Sequence, residues 1–222
     1  MSRFEYRAQL RALREELLAM SDLVCEALQR ALEAFEARDA EIASLVVEGD
    51  REINERYLAI ERRCIELIAR QQPVAGEMRV VVATFKISTD LERVGDLATN
   101  LATYAIQGER HAYPEVDAGT IGRHALAMVR EAVAAYATED AEACYAVADR
   151  DEALDRLCEA ANGIVVHDLL ADRGPDDSVE TLLADVSRLF LTIRDLERVG
   201  DHAVNLAART LYMAEGNDDL LA

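Results

Sequence analysis

Asp90-Leu91-Glu92-Arg93-Val94-Gly95-Asp96 recurs as Asp195-Leu196-Glu197-Arg198-Val199-Gly200-Asp201. The offset is 105 positions throughout (195 − 90, 197 − 92, 201 − 96), and it holds for the Asn four residues further on, Asn100 and Asn205. Each copy therefore carries a Glu, an Asp and an Asn at intervals of four, a spacing that stacks side chains on one face of a helix. With Glu92 as origin and about 100° per residue, Asp96 and Asn100 fall near about 40° and about 80°. The apolar set Ile87, Leu91, Val94, Ala98, Leu101 and Ala105 centres near about 220°. The motif is thus predicted to form a polar stripe opposite the apolar one. Gly95 and Gly200 fall mid-helix, where Gly costs about 1 kcal/mol against Ala. A matched pair of such glycines predicts close approach by another backbone or by a partner.

Outward from the motif, the apolar residues keep helical spacing. Leu10, Leu13, Leu17, Met20, Val24, Leu28, Ala31 and Phe35 predict a long amphipathic helix over about residues 4–37. Asp39 is placed to cap a second helix, which carries Ile42, Val46, Ile53, Tyr57, Ile60, Cys64 and Leu67. Pro73 and Gly76 mark its end, and the third helix, bearing the first motif, begins near Glu77. The pattern then restarts with a shorter fourth helix. Asp140 is placed to cap a fifth, and a sixth runs from about Asp176 to Glu215 with the second motif. Phe35/Tyr136, Asp39/Asp140 and Asp50/Asp151 are 101 apart (136 − 35, 140 − 39, 151 − 50). The second half therefore has four extra residues (105 − 101) before its last helix, where Gly174-Pro175 lies. The fold class is all-α: two pseudo-symmetric three-helix bundles, divided as residues 1–108 and 109–222.

The same alignment adds a second row of oxygen ligands. Asp50, Asn54 and Glu61 follow one edge of the second helix, and Asp151, Asp155 and Asn162 are their counterparts in the fifth. If second and third helices are neighbours, each bundle brings carboxylates from two helices together. The candidate ligands are Asp50, Asn54, Glu92 and Asp96 in one half and Asp151, Asp155, Glu197 and Asp201 in the other. Asn100, Asn205 and His202 are possible auxiliary ligands. Oxygen-only ligation suits Mg, Mn, Ca or Fe. The competing reading is a solvated acidic face, with Arg93 and Arg198 in within-helix ion pairs worth a few tenths of a kcal/mol.

Other classes are disfavoured. A formal net charge of −19 repels nucleic acid and anionic membrane. Cys25, Cys64, Cys144 and Cys158 lack CxxC spacing and fall in apolar patterns, which predicts core thiols rather than zinc ligands or disulfides. A carboxylate-bridged di-iron oxidoreductase wants Glu-x-x-His pairs, and none is present. His202 alone adjoins a motif, and its counterpart is Leu97. There is no P-loop, dinucleotide fingerprint or nucleophile elbow, so no enzyme is predicted. The N-terminal residues lack a signal peptide's apolar run and no stretch approaches a membrane span, which predicts a cytoplasmic protein.

The doubled Asp-Leu-Glu-Arg-Val-Gly-Asp followed by Asn resembles the signature of the PhoU family. Gln71-Gln72-Pro73 with Glu77-Met78-Arg79, and Leu211-Tyr212-Met213-Ala214-Glu215-Gly216, resemble that family's lead-in to the third helix and its C-terminal ending. Glu77-Met78 departs from the usual Asp-Leu, and Asn54 departs from the acidic residue found at Asp155. The resemblance implies a homodimeric regulator of phosphate homeostasis. Such a protein acts on the ATPase subunit of the ATP-driven phosphate importer and on the sensor histidine kinase, restraining uptake and the phosphate-starvation response. It further implies multinuclear iron or zinc clusters, with Mg or Mn not excluded, on Glu92 and Asp96, Glu197 and Asp201, with Asp151 and Asp155, and more weakly Asp50 and Asn54. The alternatives are a metal-binding helical protein, or an accessory to a secondary phosphate transporter.

Overall fold

A computed structural model describes residues 3–71, 75–107, 116–170 and 179–221. The order is α1 (Arg3–Ala37), α2 (Ala40–Gln71), α3 (Ala75–Gln107), α4 (Ala118–Thr138), α5 (Ala141–Leu170) and α6 (Val179–Glu215), closed by a 3-10 turn, Asp219–Leu221. No strand occurs among the described residues. The division at 108/109 and the Gly174-Pro175 break lie outside them.

The two caps anticipated for α2 and α5 form, and they form alike. Asp39 Oδ1 accepts hydrogen bonds from the Glu41 and Ile42 amides at 2.9 and 3.1 Å. Asp140 Oδ1 accepts from the Ala143 amide at 3.1 Å. Each cap is preceded by a left-handed residue, Arg38 (φ 56°) and Glu139 (φ 55°), which ends the preceding helix and turns the chain back. Asp117 caps α4 in the same way. Gly76, taken from sequence as punctuation after α2, instead lies in the first turn of α3. A helix tolerates Gly more easily in its first turn than in its interior, and no Cβ contact constrains Gly76.

Within each half, the third helix packs on the other two, α3 on α1 and α2, α6 on α4 and α5. The halves then join through α3 against α6 and α1 against α4. Leu13, Leu17, Leu28, Leu91, Leu101, Leu154, Leu196 and Leu206 are among the fully buried side chains of one continuous core. Burying each such side chain is worth about 1.5–3 kcal/mol against leaving it exposed. The α1–α4 seam is close because α4 has glycines there. A Cβ on Gly122 would meet Leu32 Cδ2 at 2.2 Å. Tyr136 reaches from α4 into the first half, its hydroxyl 2.7 Å from Thr84 Oγ1 and its ring 5.4 Å from the Arg14 guanidinium carbon. Its phenol is pushed up to about 12, chiefly by burial. Cys64, Cys144 and Cys158 are buried, as the apolar pattern predicts, but Cys25 is half-buried where α1 meets α4 near Arg130. Among the described residues no helix is long and apolar enough to cross a membrane.

Candidate metal centres

The motif helices α3 and α6 meet α2 and α5 at the recurrent glycines. A Cβ on Gly95 would lie 3.2 and 3.3 Å from Ile53 Cγ2 and Cδ1. A Cβ on Gly200 would lie 2.2 Å from Leu154 Cδ2 and 3.2 Å from Asp151 Oδ1. The close approach is therefore made by an aliphatic side chain of the same half rather than by a backbone. This seating brings the acidic rows of adjacent helices into each other's field. The motif carboxylates lie off the core; Glu92, Asp96 and Glu197 are partly buried and Asp201 is exposed. Glu92 is only 16% exposed and Asp96 39%, because α2 roofs the stripe.

In the first half the acids are largely partnered. Asp50 accepts from the Asn54 amide at 2.8 Å and from Thr99 Oγ1 at 3.4 Å. Arg93 pairs with Asp96 at 3.0 Å and lies 3.5 Å from Glu92. Burial and then the Asp96 charge hold both Asp50 and Glu92 above the ordinary carboxylate range.

In the second half, among the described residues, Asp151, Asp155, Glu197 and Asp201 have no hydrogen-bond donor and no direct ion pair, although the Arg198 and His202 charges still act on Asp201. Arg198, the counterpart of Arg93, turns toward Asp195 at 3.9 Å. Asp151 Oδ1 is buried with no donor. Burial, then Asp155, Asp201 and Glu197, push its carboxyl up to about 6. Glu197 and Asp201 are also raised, each by burial and then by Asp155. Cys158 borders this cluster, and burial together with Glu197, Asp155, Asp151 and Asp201 pushes its thiol up to about 12. Such a thiol stays protonated in the metal-free protein.

Among the described residues no three His, Cys, Asp or Glu side chains already converge as a chelating group. The structure brings Asp50, Asn54, Glu92 and Asp96 to one seam, and Asp151, Asp155, Glu197 and Asp201 to the other. It takes the three auxiliary candidates elsewhere, to the junction of the halves. Asn100 Nδ2 donates to Asp195 Oδ2 at 3.3 Å, and Asn205 Nδ2 to Asp90 Oδ1 at 3.5 Å. Both pairs sum to 295 (100 + 195, 90 + 205), as antiparallel α3 and α6 require. His202 Nδ1 lies 2.9 Å from Asp90 Oδ1. Asp195 is fully buried and also accepts from Tyr104 Oη at 3.0 Å and Arg194 Nη2 at 2.9 Å.

The leading aspartates of the motif are the residues that sequence reasoning passed over. A signal was there: on the same wheel Asp90 falls near about 160°, within about 60° of the apolar stripe. An acidic residue repeated so near the core face needs a buried partner.

The two halves are thus matched acidic seams joined by a reciprocal polar bridge. A family model described as the PhoU domain matches residues 17–105 and again 119–210. The chain belongs to the PhoU family. Both PhoU matches contain one motif and the helix that roofs it. The "Phosphate-specific transport system accessory protein PhoU homolog" of Pseudomonas putida is 35% identical over 219 residues, covering 96% of this chain and 82% of that protein. PhoU from Pseudomonas aeruginosa, known from a crystal structure, superposes with a TM-score of 0.89 at 32% identity, covering 96% of this chain and 100% of that one. The "phosphate transport system regulatory protein PhoU" of Streptococcus pneumoniae gives 0.85 at 26% identity, covering 96% and 98%.

Proposed function

We propose that this protein is a non-enzymatic, cytoplasmic regulator of phosphate homeostasis. It restrains uptake by the ATP-driven phosphate importer through the importer's ATPase subunit, and it holds off the starvation response through the sensor histidine kinase. Its working form is a homodimer. The observation that carries the reading is similarity over 96% of the chain to a phosphate-transport accessory protein, with both acidic motifs intact. The physical logic is a helical platform whose affinity for each partner differs between states of the transport system. Co-purification with the ATPase subunit and with the kinase's cytoplasmic portion, alongside a starvation reporter in a deletion strain, tests it. Binding to at least one partner and constitutive reporter expression in the deletion are expected. Loss of both, or complementation only of a secondary transporter's defect, would overturn it.

We further propose that the two seams bind multinuclear metal, iron or zinc by preference. The oxygen donors and the buried Asp151 oxygen without a donor support a cation at these seams, and the choice of iron or zinc comes from the family resemblance. An uncompensated buried carboxylate costs free energy that a cation offsets. When bound, the metal supplies positive charge; Glu92, Asp96 and Asp50 would hold it in one half, Glu197, Asp201, Asp151 and Asp155 in the other. Glu92→Gln with Asp96→Asn, and Glu197→Gln with Asp201→Asn, should lower the metal content found by elemental analysis while circular dichroism stays helical. Unfolding of these variants would make the stripes structural instead.

A further inference from the structure

The last turns of α2 break with the acidic character of the chain. They carry Arg62, Arg63 and Arg70, where the repeat alignment places Gly163, Ile164 and Ala171 in the second half (62 + 101, 63 + 101, 70 + 101). These cations therefore belong to the first half alone, in a protein of formal net charge −19. Arg63 is held by Glu16 of α1. Arg62 and Arg70 make no hydrogen bond or ion pair among the described residues. Glu66 stands four residues from each, the spacing that favours pairing on a helix, and pairs with neither.

Exposed apolar side chains lie beside these arginines. Ile65 is 59% exposed, more than any other large hydrophobic residue described, and Leu58 is 48% exposed. With Arg62 as origin, Leu58, Ile65 and Ala69 fall between about −20° and about −60° on the helical wheel, and Ala59 and Arg70 near about 60° and about 80°. Arg62 thus stands between an apolar row and a groove of about 410 Å³ between α1 and α2, lined in part by Ala59, Leu67 and Arg70. Exposed apolar surface rimmed by charge marks contact with a partner. The apolar row sets the partner's shape and the arginines set its sign. Leu58 and Ile65 are seven residues apart, about 10 Å along the helix, and Arg62 and Arg70 are eight apart, about 12 Å. A second helix laid along α2 repeats its own face at the same intervals. An anionic bilayer fits less well, because it would face the net negative charge of the rest of the molecule.

We infer that the C-terminal half of α2 is a docking surface for an acidic amphipathic helix of a protein partner. The partner's apolar side chains seat on Leu58, Ile65 and Ala69, and two of its carboxylates, seven or eight residues apart, meet Arg62 and Arg70. This is recognition of a helix by a groove and its rim, on residues that the metal reading does not use.

The probe is a fluorescein-labelled synthetic helix of about 20 residues, with Leu along one face and Glu on its flanks, titrated with the full-length protein and followed by fluorescence anisotropy. The protein as a whole repels an acidic peptide, so binding reports a local cationic surface. Wild type should bind, and more weakly as salt is raised. Arg62→Glu with Arg70→Glu should weaken binding at least about tenfold, and Ile65→Asp at least about fivefold. Arg51→Glu with Arg156→Glu makes the same change in net charge at exposed sites elsewhere and should leave binding within about twofold. Peptides with Gln for Glu, or Ala for Leu, should bind at least about tenfold more weakly. Circular dichroism confirms the helical fold of each variant. A wild-type protein that does not bind the acidic helix, or binding that falls equally in the Arg51 and Arg156 control, would overturn the inference. Sedimentation in which the Arg62 and Arg70 variant alone turns dimer into monomer would assign the face to a second copy of the chain. Binding to phosphatidylglycerol vesicles but not to the peptide would assign it to a membrane. Either of these overturns it as well.

Discussion

The α2–α3 seam and the α5–α6 seam carry the same acidic phrase on the same kind of helix, yet they solve the same electrostatic problem differently. The first neutralises its acids internally, with an amide, a hydroxyl and Arg93. The second leaves Asp151 with a buried oxygen and no donor, at a carboxyl pushed up to about 6. Identity of a motif therefore does not imply identity of a site. The residues that differ, Asn54 and Thr99 against Asp155 and Val204, lie outside the heptapeptide. Even Arg93 and Arg198, inside it, choose different carboxylates according to what the neighbouring helices offer.

The leading aspartates should give the largest effect. Asp195 is fully buried among Arg194, Tyr104 and Asn100, whereas Asp90 is 17% exposed and meets His202 and Asn205. Asp195→Ala removes a fully buried acceptor shared by Tyr104, Asn100 and Arg194 and should cost about 2–3 kcal/mol in urea unfolding. Asp90→Ala should cost about 1–2 kcal/mol. Equal losses would show that the bridge is symmetric in energy despite its unequal burial.

The glycines come next. Gly200→Ala drives a methyl against Leu154, itself fully buried, and should destabilise by about 1–3 kcal/mol. Gly95→Ala meets only ordinary to tight contact with Ile53 and regains about 1 kcal/mol of helix propensity, so its melting temperature should stay near wild type. A destabilised Gly95→Ala protein would mean that Ile53 cannot yield.

The smallest effect is electrostatic and depends on pH. The Asp151 pKa is raised in the folded state, so its contribution is unfavourable at neutral pH. As pH rises from about 4 to about 6, the unfolded chain has already released this proton while the folded one still holds it. Stability falls through that window, and the full penalty stands above it. Below about pH 4 both states are protonated and the penalty is gone. Solvent screening limits the effect to about 1 kcal/mol. Metal-free Asp151→Asn should melt about 2–4 °C above wild type at pH 7.5 and gain nothing at pH 3.5. Asp50→Asn, whose parent carboxylate is already hydrogen-bonded, should gain less. Reversal of that order would break the comparison.

Much of this was legible in the chain. Helical periodicity, the Asp39 and Asp140 caps and the 105-residue offset are local or periodic signals, and they predict six helices in two repeats. The pairing of the α2 acids with the α3 acids was also legible, because the repeat alignment marked Asp50 and Asp151 as a second row. The roles of Asn100, Asn205 and His202 were not. A helical wheel places them beside Glu92 and Glu197, but it cannot say that α6 lies across α3 at that height. Nor can it say which of two arginines, identical in local sequence, turns to which acid.

By itself, then, the sequence determined which faces are apolar, where helices start, and that one design is used twice, since these follow from spacing along a single helix. Only the tertiary structure decided which atoms are partnered. Hydrogen bonds and burial depend on residues brought together from distant positions: Asn100 with Asp195, His202 with Asp90, Asp151 over Gly200. The doubled motif supplies two sets of carboxylates, and the neighbouring helices decide that one set is hydrogen-bonded and ion-paired within the protein while the other keeps a buried Asp151 oxygen without a donor.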